Sequence, residues 1–299
     1  MRPRSMTYAR SASAGATVAN CSRRYSQAGW EGATVDLQLN GKRGLVTGAS
    51  RGIGRAAALS LLSEGVDCAI CARTEGPLVA AAEELAAQTG RKVVPIVADT
   101  ADAASVRALV EEATATLGGI DVLVNNAARV SGGEPEDLAH VTDERAIRDF
   151  NEKFLGYLRC IREVVGHMRE AGWGRVINVS GLAARNAGPI SAGARNASVI
   201  HMTKSLAREL GKDGITVNAI YPGITWTENL EARMASQASQ TGRDKDELLR
   251  QAGAGNAIGR IVRAEEIGHV IAFLASPLAA GVTGEAIAVS GGAGAMVFY

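Results

Sequence analysis

The sequence lacks any excess of charge. Its 32 Lys and Arg stand against 31 Asp and Glu, a net +1 with His neutral. No global field therefore draws it to nucleic acid or to an anionic membrane surface. No apolar run reaches the roughly 20 residues that a membrane-spanning helix needs. Cysteine is scarce, limited to Cys21, Cys68, Cys71 and Cys160. Cys68 and Cys71 form a C-x-x-C, but within a strand-like run, where an odd offset sends the side chains to opposite faces. That excludes a redox pair or a zinc site there and suits buried thiols in a reducing compartment. The expected partner is a small-molecule substrate, with no nucleic acid and no membrane. Acid is absent before Glu31, a stretch that carries Arg2, Arg4, Arg10, Arg23 and Arg24. Residues 1–38 read as a basic, poorly structured extension. A cytoplasmic location is expected, with the mitochondrial matrix as the alternative if this extension is a presequence.

What is present is apolar residue in quantity, 46% of 299 positions, enough for one large α/β domain. The chain is organised around Leu45-Val46-Thr47-Gly48-Ala49-Ser50-Arg51-Gly52-Ile53-Gly54-Arg55. This reads as the end of a buried strand, a glycine turn and the start of an alanine-rich helix. Gly48 permits a sharp reversal, Gly52 a close approach of backbone to ligand, and Gly54 tight packing of the helix. The free N–H groups of the helix's first turn, backed by its dipole, suit a pyrophosphate. The blander alternative is an ordinary glycine-rich turn.

From Leu39 onward strand-like and helix-like segments alternate. Strands are expected at 43–46, 67–72, 92–98, 121–124, 175–179, 215–220 and 285–289. Helices are expected at 55–63, 77–89, 103–116, 142–170, 192–210 and 264–275, with an excursion at 224–258 that holds one or two short helices. Such alternation argues for a mostly parallel, seven-stranded, doubly wound sheet with helices on both faces. Residues 39–299 form one domain in this reading, and about 224–258 form a substrate lid.

Further motifs give the chain a family likeness. Thr47-Gly48-x-x-x-Gly52-x-Gly54, Asn125-Asn126-Ala127-Ala128, Val217-Asn218-x-x-x-Pro222-Gly223, Val282-Thr283-Gly284-Glu285 and Ser290-Gly291-Gly292 occur in that order. Over residues 39–299 the chain resembles the short-chain dehydrogenase/reductase family. The resemblance implies a Rossmann-type dinucleotide-binding fold and an oxidoreductase acting on a carbonyl or alcohol. It places Gly48, Ser50, Arg51, Gly52, Ile53 and Gly54 at the cofactor turn and Asp99 beside the adenine. It adds Asn125, Ala127, Pro222, Gly223 and Thr227 as further cofactor-binding positions. It also implies a homotetramer paired through the helices at 142–170 and 192–210.

The choice of cofactor is legible from the residues. An acid at the end of the second strand would hold a ribose 2′-hydroxyl and repel a 2′-phosphate. That end here reads Ala72-Arg73-Thr74, and Arg73 presents a bidentate fork to a phosphate. Arg51 is a second such cation, and NADP(H) is therefore expected over NAD(H). The plainer alternative is two solvated surface arginines.

The family pattern breaks at the chemistry. Its usual proton donor is a Tyr with a Lys four residues later on the same helix face. No Y-x-x-x-K occurs in this chain. Alignment on Met202-Thr203-Lys204 puts Ala192 at the Tyr position and Asn196 at the Lys position. Gly181 falls at the usual Ser position, with Ser180 one residue early, and Lys153 falls at the active-site Asn position. Tyr221, at the carboxyl end of the sixth strand, is the expected replacement acid, and Lys153 is the cation expected to assist it. Their plainer roles are packing for Tyr221 and a bridge to backbone and water for Lys153. Asn196 is expected to retain a bond to the nicotinamide ribose. Arg195 is expected to point off that face, and Ser191 to be a helix-end or packing residue. The alternatives to an oxidoreductase are an isomerase or lyase on the same scaffold, and a cofactor-binding subunit without turnover.

Overall fold

The computed structural model describes residues 35–128 and 138–295. The expected extension at 1–38 lies outside the described residues up to position 34. From Leu37 the chain forms one unit. Its first half runs β1 (Arg43–Thr47), α1 (Gly52–Ser63), β2 (Asp67–Ala72), α2 (Glu75–Thr89), β3 (Val93–Val97), α3 (Ala103–Leu117) and β4 (Val122–Asn125). The second half runs α4 (Asp143–Phe150), a π turn (Asn151–Leu155), α5 (Gly156–Ala171), β5 (Gly174–Val179), α6 (Ile190–Leu210) and β6 (Ile215–Pro222). It continues through β7 (Thr225–Trp226), α7 (Glu228–Thr241), α8 (Lys245–Ala254), β8 (Val262–Arg263), α9 (Ala264–Ala275) and β9 (Ala286–Val289).

The main sheet has seven strands in the order β3-β2-β1-β4-β5-β6-β9, all pairings parallel. The expected doubly wound α/β architecture is thus present. Leu61, Ile70, Leu78 and Ile267 belong to the core under α1, α2 and α9, whereas Leu109, Leu123, Ile161 and Met202 belong to the core under α3, α5 and α6. Strands covered on both faces must be apolar on both, which is why β2 and β4 read as unbroken apolar runs. Cys68 lies in the first core and Cys71 in the second, as the odd offset requires. Burial pushes the Cys71 thiol up to about 12, so it holds its proton.

Two departures from the sequence expectations bear on the site. The helix expected over 142–170 is broken by the π turn, where Asn151 Nδ2 donates to the Ala101 carbonyl at 3.3 Å and Arg159 Nη1 donates to the Asn151 carbonyl at 3.3 Å. These bonds compensate the helical register lost there, and the wider turn carries Lys153 inward. Strand β6 runs two residues past 220, because Tyr221 pairs with Ala288 and Pro222 with Val289. The excursion at 224–258 holds two helices, α7 and α8, as expected, and its Leu230, Met234, Leu248 and Leu249 form a small core with Ile261.

The turn after β1 is held by contact rather than by flexibility. A Cβ on Gly54 would lie 2.3 Å from the Gly48 carbonyl oxygen and 2.4 Å from Asn126 Nδ2. The first is backbone of the turn itself, and the second is held by its bonds to the Thr47 and Gly48 carbonyls, so neither retreats freely. Gly54→Ala should therefore lower thermal stability by the roughly 1–3 kcal/mol typical of forced overpacking. Calorimetry checks this, and an unshifted melt would contradict the packing assigned to Gly54.

Candidate active site

Strand order reverses between β1 and β4, and a ligand crevice opens outside their carboxyl ends. Thr47 ends β1 there, its Oγ1 accepting from the amides of Asn126 at 2.9 Å and Ala127 at 3.1 Å. Asn126 Nδ2 returns bonds of 3.0 Å to the carbonyls of Thr47 and Gly48. The two loops are thereby riveted, and the first amides of α1 face the crevice.

One of these amides already holds an anion. Gly52 N donates to Glu228 Oε2 at 3.0 Å, from the first turn of α7. Gly52 sits at φ +57°, and a Cβ on it would press within 3.3 Å of the Thr227 methyl group. The carboxylate stands in for a phosphate oxygen, and a pyrophosphate would compete for the same N–H. The glycine turn therefore fits a dinucleotide. Ser50, Arg51 and Ile53 lie on this turn. The register pairs Thr47 with Cys71, so Arg73 follows at the same sheet edge. Arg51 and Arg73 are both exposed and make no ion pair with another described residue.

The other expected cofactor positions have defined settings. Asp99 Oδ1 accepts from Ala101 N at 3.0 Å, which orients the carboxylate after β3. Asn125 Nδ2 donates to Asn178 Oδ1 at 3.0 Å across β4 and β5. Gly223 N donates to the Val289 carbonyl at 3.3 Å, extending the Pro222–Val289 pairing. Thr227 caps α7 by accepting from Leu230 N at 3.3 Å.

Charge is concentrated beyond the carboxyl end of β5. Lys153 is buried, and its Nζ donates to the Ser180 carbonyl at 2.9 Å and lies 5.9 Å from the Tyr157 ring centroid. Tyr157 spends its hydroxyl on the Val179 carbonyl at 2.9 Å. Burial, and then the Arg195 charge, pull Lys153 down to about 7. Asp149 Oδ1 lies 3.3 Å from Arg195 Nη1, while Asp149 Oδ2 accepts from Ser191 Oγ at 2.6 Å. Ser180 Oγ donates to the Asn196 carbonyl at 3.0 Å. Among the described residues Asn196 Oδ1 is buried with no hydrogen-bond partner, and a Cβ on Gly181 would lie 3.1 Å from Nδ2 of the same side chain. An orphaned buried acceptor is costly unless a ligand donor meets it.

Tyr221 is only 4% exposed, and the Arg185 guanidinium lies 4.0 Å above its ring centroid. Arg185 also donates from Nη2 to the Ala286 carbonyl at 3.1 Å, which fixes it over the ring. The cation on Tyr221 is thus Arg185, and Lys153 is seated on Ser180. Arg195 corrects the expectation that it points off the helix face: it is buried and paired with Asp149. Ser191 is likewise a hydrogen-bond donor to that pair rather than mere packing. Sequence reasoning missed Asp149 and Glu228. Nothing local separates Asp149 or Glu228 from an ordinary helical acid.

Comparison with known proteins agrees with this geometry. The model of a family described as enoyl-(acyl carrier protein) reductase matches residues 48–294. The chain is 38% identical over 251 residues to the short-chain reductase protein NovJ of Streptomyces niveus, covering 83% of this chain and 92% of that one. It is 37% identical over 255 residues to the 3-oxoacyl-[acyl-carrier-protein] reductase FabG of Staphylococcus aureus, covering 84% and 97%. Among solved structures, L-sorbose reductase of Gluconobacter frateurii, described in complex with NADPH and L-sorbose, superposes with a TM-score of 0.82 at 30% identity, covering 86% and 98%. A variant of actinorhodin polyketide ketoreductase with NADPH superposes with a TM-score of 0.77 at 32% identity, covering 84% and 96%. With its glycine turn, reversed strand order and matched length all in agreement, the chain belongs to the short-chain dehydrogenase/reductase family.

Proposed function

We propose that this chain is an NADP(H)-dependent oxidoreductase that reduces a carbonyl, or oxidises the matching alcohol, with a non-standard proton donor. The observation that carries the reading is the glycine turn whose Gly52 amide already binds a carboxylate. The cofactor is NADP(H): two structural relatives hold NADPH, and Arg51 within the turn and Arg73 after β2 make no ion pair among the described residues. When bound, the cofactor supplies the hydride. The orphaned Asn196 Oδ1 is the acceptor for a ribose hydroxyl. Ala192, at the family's Tyr position, carries no usable proton.

Tyr221 is the proton donor to the substrate oxygen, its ring pinned between Arg185 and the strand. Lys153 is the second ionisable group of the site and holds its ammonium at the Ser180 carbonyl. The chain works as a homotetramer, and the exposed Ile147, Leu155 and Ile190 on the same helical segments support that reading. An isomerase, a lyase or a binding subunit without turnover would bind NADPH yet leave it unoxidised in a panel of ketones and aldehydes.

Arg73→Asp should reverse or abolish the preference for NADPH over NADH in fluorescence titrations; equal affinities in the wild type would contradict the role of Arg73. General acid catalysis contributes roughly 10²–10⁴-fold, so Tyr221→Phe should cost kcat a factor in that range while NADPH affinity holds. Full activity in Tyr221→Phe would remove Tyr221 as the acid. Light scattering at micromolar concentration should report a tetramer, and a monomer there would contradict the assembly.

A further inference from the structure

Glu228 stands between two helix starts. Its Oε2 accepts from Gly52 N at 3.0 Å, in the first turn of α1, and the residue itself opens the first turn of α7. Both turns present N–H groups outside the helical ladder and the positive ends of their dipoles, so a carboxylate is favoured there twice. Arg51, the N-cap of α1, gives that helix no side-chain cap of its own. The acid that serves the turn therefore comes from another helix, 176 residues further along the chain.

The start of α7 is fixed from behind. Thr227 Oγ1 accepts from Leu230 N at 3.3 Å, and Trp226 Nε1 donates to Glu231 Oε1 at 2.9 Å. Strands β7 and β8 pair Thr225 with Val262 and Trp226 with Arg263. Gly52, Arg55, Trp226, Glu228, Glu231 and Glu265 share the lining of a cavity of about 240 Å³, which gives the Glu228 side chain room to leave the amide.

We propose that the Glu228 carboxylate is a built-in competitor of the cofactor: it latches the start of α7 onto the glycine turn, and the dinucleotide must displace it to bind, on the reading of that turn as the pyrophosphate site. One N–H cannot serve a carboxylate and a phosphate oxygen fully at once, and two anions at one helix start repel each other. The free protein divides between a latched form, whose amide is taken, and an open form that accepts the cofactor. Apparent affinity falls by the fraction that is open. Cofactor binding in turn releases α7 from α1, so the segment at 224–258 is coupled to occupancy of the turn through this one bond.

Two variants separate the bond from the charge. Glu228 is exposed, so neither removes a buried contact. Glu228→Gln removes the charge and weakens the bond, whereas Glu228→Asp keeps the charge but falls one methylene short of the amide. Calorimetric titration of the full-length protein with NADPH should show tighter binding in both, by about 3–10-fold, the worth of one ordinary hydrogen bond. In the free protein, labelling with carbon-13 carbonyl arginine and nitrogen-15 glycine selects the amides of Gly44 and Gly52, since only Arg43-Gly44 and Arg51-Gly52 join those residue types. One of the two signals should move in both variants, and the other, from Gly44 on β1, should stay. Tighter binding in Glu228→Gln alone, with Glu228→Asp at the wild-type affinity, would reduce Glu228 to a repelling charge and overturn the latch. Saturable binding that is equal or weaker in both variants, or glycine signals unmoved by either substitution, would also overturn it and leave the cofactor reading intact. No saturable NADPH binding in any of the three proteins would overturn the latch together with that reading.

Discussion

The close approach of the first turn to its neighbour is the constraint on which the rest depends. Thr47 and Asn126 tie the end of β1 to the loop after β4, and Gly54 lets α1 descend onto the Gly48 carbonyl. Without that contact the amides of α1 would not be held at the edge of the sheet. The anion site is thus a product of backbone geometry, with its charge supplied by unpaired N–H groups and the helix dipole. Glu228 occupies it from within the chain, which links α7 to the glycine turn through one hydrogen bond.

The second organising feature is electrostatic. Desolvation makes an isolated buried charge untenable, so the charged residues beyond β5 are found in company. Asp149 and Arg195 share an ion pair, Ser191 satisfies the spare oxygen, and Lys153 donates to a backbone carbonyl. Among the described residues, Asn196 Oδ1 and, on β4, Asn125 Oδ1 are buried acceptors left unmet. A buried acceptor of this kind is costly unless a ligand donor meets it. The π turn carries Lys153 inward, where its Nζ reaches the Ser180 carbonyl.

Much of the fold was legible in the sequence because its determinants are local. Apolar runs such as those of β2 and β4 identify central strands, and Gly48, Gly52 and Gly54 have steric roles that no other residue fills. The π turn was not legible, since the bonds from Asn151 and Arg159 that compensate it are made to residues distant along the chain or a full turn and more away. Arg195 was misread for a related reason. Helical position alone does not reveal that a carboxylate on another helix waits to pair with it. Tyr221 was located correctly on its strand, but its neighbour Arg185 comes from an irregular loop with no pattern to announce it.

The central claim is that this scaffold transfers hydride to a carbonyl without the Tyr–Lys pair of its family. The most direct measurement is transfer of deuterium from NADPH labelled at the nicotinamide C4 to a panel of ketones and aldehydes, read by mass spectrometry of the products. The account predicts label on the carbinol carbon of at least one product and none with heat-denatured protein. Saturable NADPH binding with no label transferred to any carbonyl would contradict it.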